Sequence, residues 1–398
     1  MVLGAPLLNS IWCYFNRGNS YAAKGEPDRA NADHSKAIEI NPKLAAADAN
    51  RGHAYSDQGD SDLTITVHSK AIEVNPRFAD AYFNRGNAYA AKGEHDQAIT
   101  DYTKAIEINP QFALAYVNRS SAYAAKGAYD RTIADCSKAI EIDPKLAEAY
   151  DNRGHAYADK GEHDQAITDY TKAIEINPQL ALAYVNRSSA YAAKGAYDRT
   201  IADCSKAIEI DPKLAIAYSN RGAAYAAKGV HDQAITDYSK AIEIDPQVAD
   251  VYFNRGHAYA AKGEYDRAIV DCSKAIEINP MFADAYLIRG IGHAAKSEQD
   301  RAIADYTKAI EINPKEFIYY SSRAAAYIKA GRAAQGLPDA EKSLELRPDD
   351  AETLHTRGFI FEALGRREEA VADFRRSLAK DPNMQPSKEA LQRLGASP

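Results

Sequence analysis

The sequence predicts an all-α chain of stacked helix pairs, and three observations carry that prediction. Pro42, Pro76, Pro110, Pro144, Pro178, Pro212, Pro246, Pro280, Pro314, Pro348 and Pro382 stand 34 residues apart with no slip in register. Within each interval, apolar and small residues recur at spacings of three and four in two separate runs, the period of a helix buried on one face. A glycine divides the runs and an Asn-Pro or Asp-Pro pair usually closes the second, and both are helix terminators. Eleven units follow: 11–44, 45–78, 79–112, 113–146, 147–180, 181–214, 215–248, 249–282, 283–316, 317–350 and 351–384. Residues 1–10 read as a short leader and 385–398 as a capping helix and tail.

The unit 79–112 shows how each element arises. Its first helix, Ala79–Lys92, sets Tyr82, Gly86 and Tyr89 on one face, and Gly93 supplies the left-handed residue that ends it. Asp96 stands where an N-cap is wanted. The second helix aligns Ala98, Ile99, Tyr102, Ala105, Ile106 and Ile108 before Asn109-Pro110 stops it. Gly86, Ala98 and Ala105 are small where two helices must approach closely. Departures from this pattern gather near the ends. Asp48 and Thr64 replace the expected Tyr and Ala, so unit 45–78 is predicted to pack least well. Gly336 and Pro338 predict a weak point or bend in the second helix of unit 317–350. Residues 387–394 read as a closing helix with Leu391 and Leu394 inward, the polar-faced cap a solenoid end needs. At the other end Ile11, Trp12 and Phe15 have no preceding helix to cover them. A second period of 68 overlies the first: ALAYVNRSSAYAAKGAYDRTIADCSKAIEIDPKLA occurs at 113–147 and again at 181–215.

The pattern of Tyr82, Gly86, Tyr89, Ala98, Tyr102, Ala105 and Pro110 resembles the tetratricopeptide repeat (TPR), and the resemblance runs from Ile11 to Met384. It implies an α-α superhelix, a TPR solenoid of about eleven 34-residue helix-turn-helix repeats plus a C-terminal capping helix. It also implies a concave groove lined by the first helices.

Composition and motifs argue against most other classes. The net charge is −7 and the cations are spread evenly, which leaves no footprint for nucleic acid. MVLGAPLLNS lacks the basic start of a signal peptide, and no apolar run reaches the roughly 18 residues of a membrane span. A cytoplasmic location is therefore expected, becoming periplasmic or secreted if an export signal lies upstream. Cys136, Cys204 and Cys272 sit where other units carry an interior Tyr, and read as buried thiols. His95, His163 and His231 fall in turns of separate units. His53, His155 and His257 share one place three units apart, too far to converge on an ion. There is no CxxC, HExxH, phosphate loop or nucleophile–base set, so neither a metal, a cofactor nor an enzyme is expected.

What remains is a binding reading. On the first helix Asp80, Asn84, Asn87 and Ala91 share the stripe that faces the groove. The Asn recurs as Asn16, Asn50, Asn84, Asn118, Asn152, Asn186, Asn220 and Asn254, and then stops at Ile288. A side-chain amide both donates and accepts. A row of them would hold an extended peptide whatever its sequence, similar to the asparagine ladder in the TPR arm of O-linked N-acetylglucosamine transferases. The alternative is that each Asn merely caps local polar groups. Flanking contacts are expected from Phe15, Phe83, Val117, Val185 and Phe253, and from Asn19, Asn87, His53, His155 and His257. Asp80, Glu148, Asp250 and Asp284 make one rim acidic, which favours a neutral or basic guest. The Arg of every unit, Arg17 through Arg357, is expected in the seam between repeats. It would pair there with an Asp present in every unit but the second, where Val67 stands. The chain thus reads as a non-enzymatic scaffold for a protein partner. Self-association or a spacer role through the ends is the alternative.

Overall fold

The computed structural model describes residues 5–397, with side chains from Ser10 onward, and among them are 23 α-helices and no strand. The helices fall into two compact units that meet after Ala196. The N-terminal unit holds α1 (Ala5–Ala23), α2 (Pro27–Ile40), α3 (Ala45–Asp57), α4 (Ser61–Val74), α5 (Ala79–Ala91), α6 (His95–Ile108), α7 (Ala113–Ala125), α8 (Tyr129–Ile142), α9 (Ala147–Asp159), α10 (His163–Ile176) and α11 (Ala181–Ala193). The C-terminal unit holds α12 (Tyr197–Ile210), α13 (Ala215–Ala227), α14 (His231–Ile244), α15 (Ala249–Ala261), α16 (Tyr265–Ile278), α17 (Ala283–Ala295), α18 (Gln299–Ile312), α19 (Phe317–Lys329), α20 (Ala333–Leu346), α21 (Ala351–Ala363), α22 (Arg367–Lys380) and α23 (Gln385–Arg393).

Within each unit, first helices pack on their own second helix and on the neighbouring pairs. The three-residue turn between α5 and α6 works through Gly93, whose φ is +76°. In that turn Gly93 donates to the Ala90 carbonyl and Glu94 to that of Tyr89, both at 2.9 Å. Ser297 holds the same place with φ +63° and carries a side chain into a left-handed conformation. Ser297→Gly is therefore expected to stabilise its repeat by about 1 kcal/mol, read from urea unfolding; an unchanged or lower midpoint would show the turn unstrained.

Asp96 is not an N-cap. Glu94 occupies that place without a side-chain bond, and Asp96 lies in the first turn of α6. There its carboxylate is used differently, receiving Lys126 from the next repeat. At the far end Asn109 Oδ1 accepts from the Gln111 amide at 3.1 Å, which fixes the turn at Pro110.

The core of each repeat is a size-matched pair. A Cβ at Gly86 would sit 2.7 Å from the Tyr102 ring, so the missing side chain makes room for that ring. Where the pair is Ser120 and Cys136, both are fully buried and the thiol lies 3.1 Å from the Ser Oγ. His34 and His68 fill the same place opposite Gly18 and Gly52. The sequence reading gave these two no role.

The departures resolve in different ways. Asp48 and Val67 prove to be one exchange: the usual Asp is missing at Val67, and buried Asp48 takes Arg51 at 3.2 Å instead. The substitute is incomplete, because Asp48 Oδ2, Arg51 Nε and both His68 nitrogens are buried without a hydrogen bond. Unit 45–78 thus carries unsatisfied buried polar groups, as the first repeat does at His34. In unit 317–350, where a weak point or bend is expected, α20 continues through Pro338 without ending. Gly336 there lies so near the Ala324 carbonyl that a Cβ would come within 3.0 Å. Helix α23 buries Leu391 fully and Leu394 partly against Phe361 and Phe374. At the N-terminal end only part of the expected exposure is seen. Ile11 is buried and Phe15 half-buried against His34, whereas Trp12 is 51% exposed.

Candidate peptide-binding groove

Two sets of ties position the first helices. In the seam, Arg85 places Nε and Nη2 on the two oxygens of Asp101 at 2.7 Å each, a bidentate fork. Its Nη1 crosses to Ser69 Oγ of the preceding repeat at 2.9 Å, and the cation lies over the Tyr82 ring. The hydrogen bond to Asp101 raises the guanidinium pKa against the opposing effect of burial. The pattern recurs as Arg119–Asp135–Thr103, Arg153–Asp169–Ser137, Arg255–Asp271–Ser239 and Arg323–Asp339–Thr307. The Arg–Asp pairing was expected; the hydroxyl that carries it into the next repeat was not. A second tie runs along the exposed edge, where Lys92 reaches Asp62 at 2.6 Å and Lys160 reaches Asp130 at 2.9 Å.

The Asn stripe is itself partly a tie. Asn50 Nδ2 donates to Asn19 Oδ1 at 2.7 Å, Asn84 Nδ2 lies 2.6 Å from His53 Nε2, and Asn118 Nδ2 donates to Asn87 Oδ1 at 2.8 Å. Asn152 reaches Ser121 at 3.0 Å and Asn186 reaches Asp151 at 3.2 Å. Each donor thus goes to the preceding repeat, while no hydrogen bond ends on Oδ1 of Asn84, Asn152 or Asn186. In the C-terminal unit Asn254 faces Ala223, the residue 31 places earlier, and has no such acceptor. Asn16 is exposed and Asn220 is half-buried.

Several flanking contacts do not offer the surface expected of them. Val117 and Val185 are 2% exposed, closed off within the N-terminal unit. Phe83 and Phe253 are half-buried with their rings 4.7 Å from Phe112 and Phe282, so this place packs against the closing residue of its own repeat. His53, His155 and His257 are exposed: His155 stands edge-on to Tyr170 and His257 stacks on Phe253.

Clefts open between successive first helices at several places. One of about 310 Å³ lies between α5 and α7, floored by Tyr102 and lined by Asn87, Ala90, His95, Asn118, Ser121 and Ala122. Asn87 Oδ1 accepts there from both Tyr102 Oη and Asn118 Nδ2 at 2.8 Å. A second cleft, about 230 Å³, has the residues 68 places later, from His155 and His163 to Tyr170, Asn186 and Ser189. In the C-terminal unit a third of about 250 Å³ has Tyr306 beside Ile291 and Ser322.

The other chemical groups are interior or dispersed. Burial pushes the Cys136 thiol up to about 11 and the Cys272 thiol up to about 12. Among the described residues no group of three or more His, Cys, Asp or Glu is placed to hold a metal ion, and no helix is long and apolar enough to cross a membrane.

Tetratricopeptide-repeat family profiles match residues 13–44, 52–93, 79–112, 121–161, 154–195, 189–229, 224–263, 249–282, 283–316 and 351–384. The chain belongs to the tetratricopeptide repeat family. Among solved structures, this TPR chain is similar to the Cut9–Hcn1 hetero-tetramer of the APC/C at 15% identity, over 95% of each chain, with a TM-score of 0.53. It is also similar to a tetratricopeptide repeat protein of Parabacteroides merdae at 23% identity, over 63% of this chain and 98% of that one, with a TM-score of 0.49. YrrB, a TPR protein with an unusual peptide-binding site, matches at 23% identity over 47% and 97%, with a TM-score of 0.43. The first of these likenesses speaks to the fold alone. No curated protein matches the sequence significantly. Membership in the TPR family makes the chain a protein–protein interaction scaffold in the general sense.

Proposed function

We propose that this TPR chain holds an extended, neutral or basic peptide segment along its first-helix face, with guest N–H groups accepted by the ladder asparagines. The observation that carries the reading is the one-sided use of their amides. Nδ2 of Asn84, Asn152 and Asn186 is held by the preceding repeat, which fixes each rotamer and leaves Oδ1 open in three of the four repeats from 79–112 to 181–214. An acceptor fixed in advance loses little entropy on binding. Both earlier readings of the Asn then apply at once, since the cap orients the ladder. The combined variant Asn84→Ala, Asn118→Ala, Asn152→Ala and Asn186→Ala should keep its helicity and lose peptide affinity by about a hundredfold or more, at about 1 kcal/mol per bond. Peptides selected from a random display library on the native chain would be the ligand. Undiminished binding by the variant would rule the groove out.

A second reading, self-association, is favoured by one observation, the half-exposed Trp12 on α1. Sedimentation of the Trp12→Ser variant against the native chain decides it.

A further inference from the structure

The rim of the first-helix face, one turn before the ladder, carries an unassigned pattern. Over the four repeats from 79–112 to 181–214 this rim place is filled by Asp80, Leu114, Glu148 and Leu182, each four residues before a ladder Asn and so on the same helix face, while Trp12 and Ala46 hold it in the first two repeats. All four are exposed, and Leu114 and Leu182 expose 44% and 52% of their surface. Neither Asp80 nor Glu148 makes an ion pair. The single Lys or Arg on each of α5, α7 and α9 is the Arg already held by Asp101, Asp135 or Asp169. Acid and leucine therefore alternate over these four repeats.

Spacing narrows what can read this row. Successive first helices pack side by side, and packed helix axes lie roughly 8–10 Å apart. Same-side residues of a β-strand recur at about 6.8 Å, which falls out of step. A polyproline-II segment has three residues per turn and rises about 3.1 Å per residue, so every third side chain returns to one face after about 9.3 Å. It also offers one N–H per repeat even when the two intervening residues are proline, which is what the ladder accepts.

We infer that the partner of the N-terminal unit is a polyproline-II segment in which basic and apolar side chains alternate at every third residue. This rests on the groove reading above and adds the chemistry of the guest. The probe is the synthetic peptide Lys-Pro-Pro-Leu-Pro-Pro-Lys-Pro-Pro-Leu-Pro-Pro. Its control has the same composition in blocks, Lys-Pro-Pro-Lys-Pro-Pro-Leu-Pro-Pro-Leu-Pro-Pro. The alternating peptide should bind about tenfold or more tighter than the blocked one. Glu148→Lys should weaken it about tenfold and be rescued when one Lys of the peptide becomes Glu. Leu114→Ser with Leu182→Ser should weaken it about a hundredfold. All of these positions are exposed, so circular dichroism should not change. Equal affinity for the two peptides overturns the inference. If both are also lost by the four-Asn variant, the groove reading stands without it. If neither binds, the inference falls, and the display library decides the groove reading separately.

Discussion

Replacing Asp135 by alanine is expected to destabilise the repeats around it by about 3–5 kcal/mol. Arg119 places Nε and Nη2 on that carboxylate at 2.7 and 2.8 Å and Nη1 on Thr103 Oγ1 at 3.0 Å. Its side chain is 15% exposed and that of Asp135 10%. Removing the acid leaves a charge in the seam with one hydroxyl in place of a bidentate partner, and that orphaned cation is the main cost. Arg119→Met with Asp135→Leu should recover most of the loss, because the pair's own desolvation disappears with it. Hydrogen exchange across 79–180, with 317–384 as internal reference, localises the effect in a chain whose repeats need not unfold together. A loss below about 1 kcal/mol would show the pair to be solvated and the seam held by apolar contact alone.

Acidification is expected to loosen the first two repeats before any others. His34 and His68 are fully buried, and none of their ring nitrogens has a hydrogen bond. Burial, helped slightly by neighbouring His53 and Arg85, pulls the His68 pKa down to about 3 from an ordinary 6.5; His34 is lowered by burial as well. Between those values the unfolded chain binds the proton and the folded one does not. Stability contributed by neutral His68 is therefore complete above about pH 6.5 and falls by about 1.4 kcal/mol per unit as the pH drops toward 3. Asp48, whose pKa burial raises, works in the opposite direction but only near its own titration. Exchange protection of 11–78, corrected for intrinsic rates, should fall between pH 7 and 5 while 79–180 holds. Emission from the single tryptophan, Trp12, follows the same change, because Phe15 bridges it to His34 with ring centroids 5.6 and 5.8 Å away. His34→Tyr should abolish the effect in the first repeat. Gly18 and Asn19 already stand there as Gly86 and Asn87 stand beside Tyr102, so the new hydroxyl finds its acceptor. An acid-insensitive native chain would contradict the assignment.

Residues that act locally were the legible ones. Gly93 and Pro110 end helices through their own backbone geometry, so their spacing disclosed register, element type and family together. The Arg–Asp tie was legible for a related reason: a covered charge requires a partner, and only one acid recurs with it. What was hidden depends on how deeply a neighbour covers a given angle of the helix. Phe83 and Val117 lie on the stripe beside the ladder, yet Phe112 and its counterparts fold over that side and take them into the interior. Asp96 was misread because an acid in the first turn suits both a cap and a cross-repeat lysine, and spacing alone does not distinguish them. Asp48 and Val67 looked like two faults until their side of the helix pair showed them to be one relocated carboxylate.

The lengths of the ties carry a final consequence. The hydrogen bonds between helices or repeats that recur along the array close mostly over 16, 30 or 31 residues, as in Arg85–Asp101, Lys92–Asp62 and Asn118–Asn87. All of these are shorter than one repeat. Copying or excising a whole number of repeats therefore leaves each such bond facing the residue at the corresponding place of its new neighbour. The verbatim recurrence of 113–147 at 181–215 is what such an event leaves behind. Lengthening the array needs no fresh packing solution, so repeat number is open to inheritance as a simple integer, and reach along a partner can change in one genetic step.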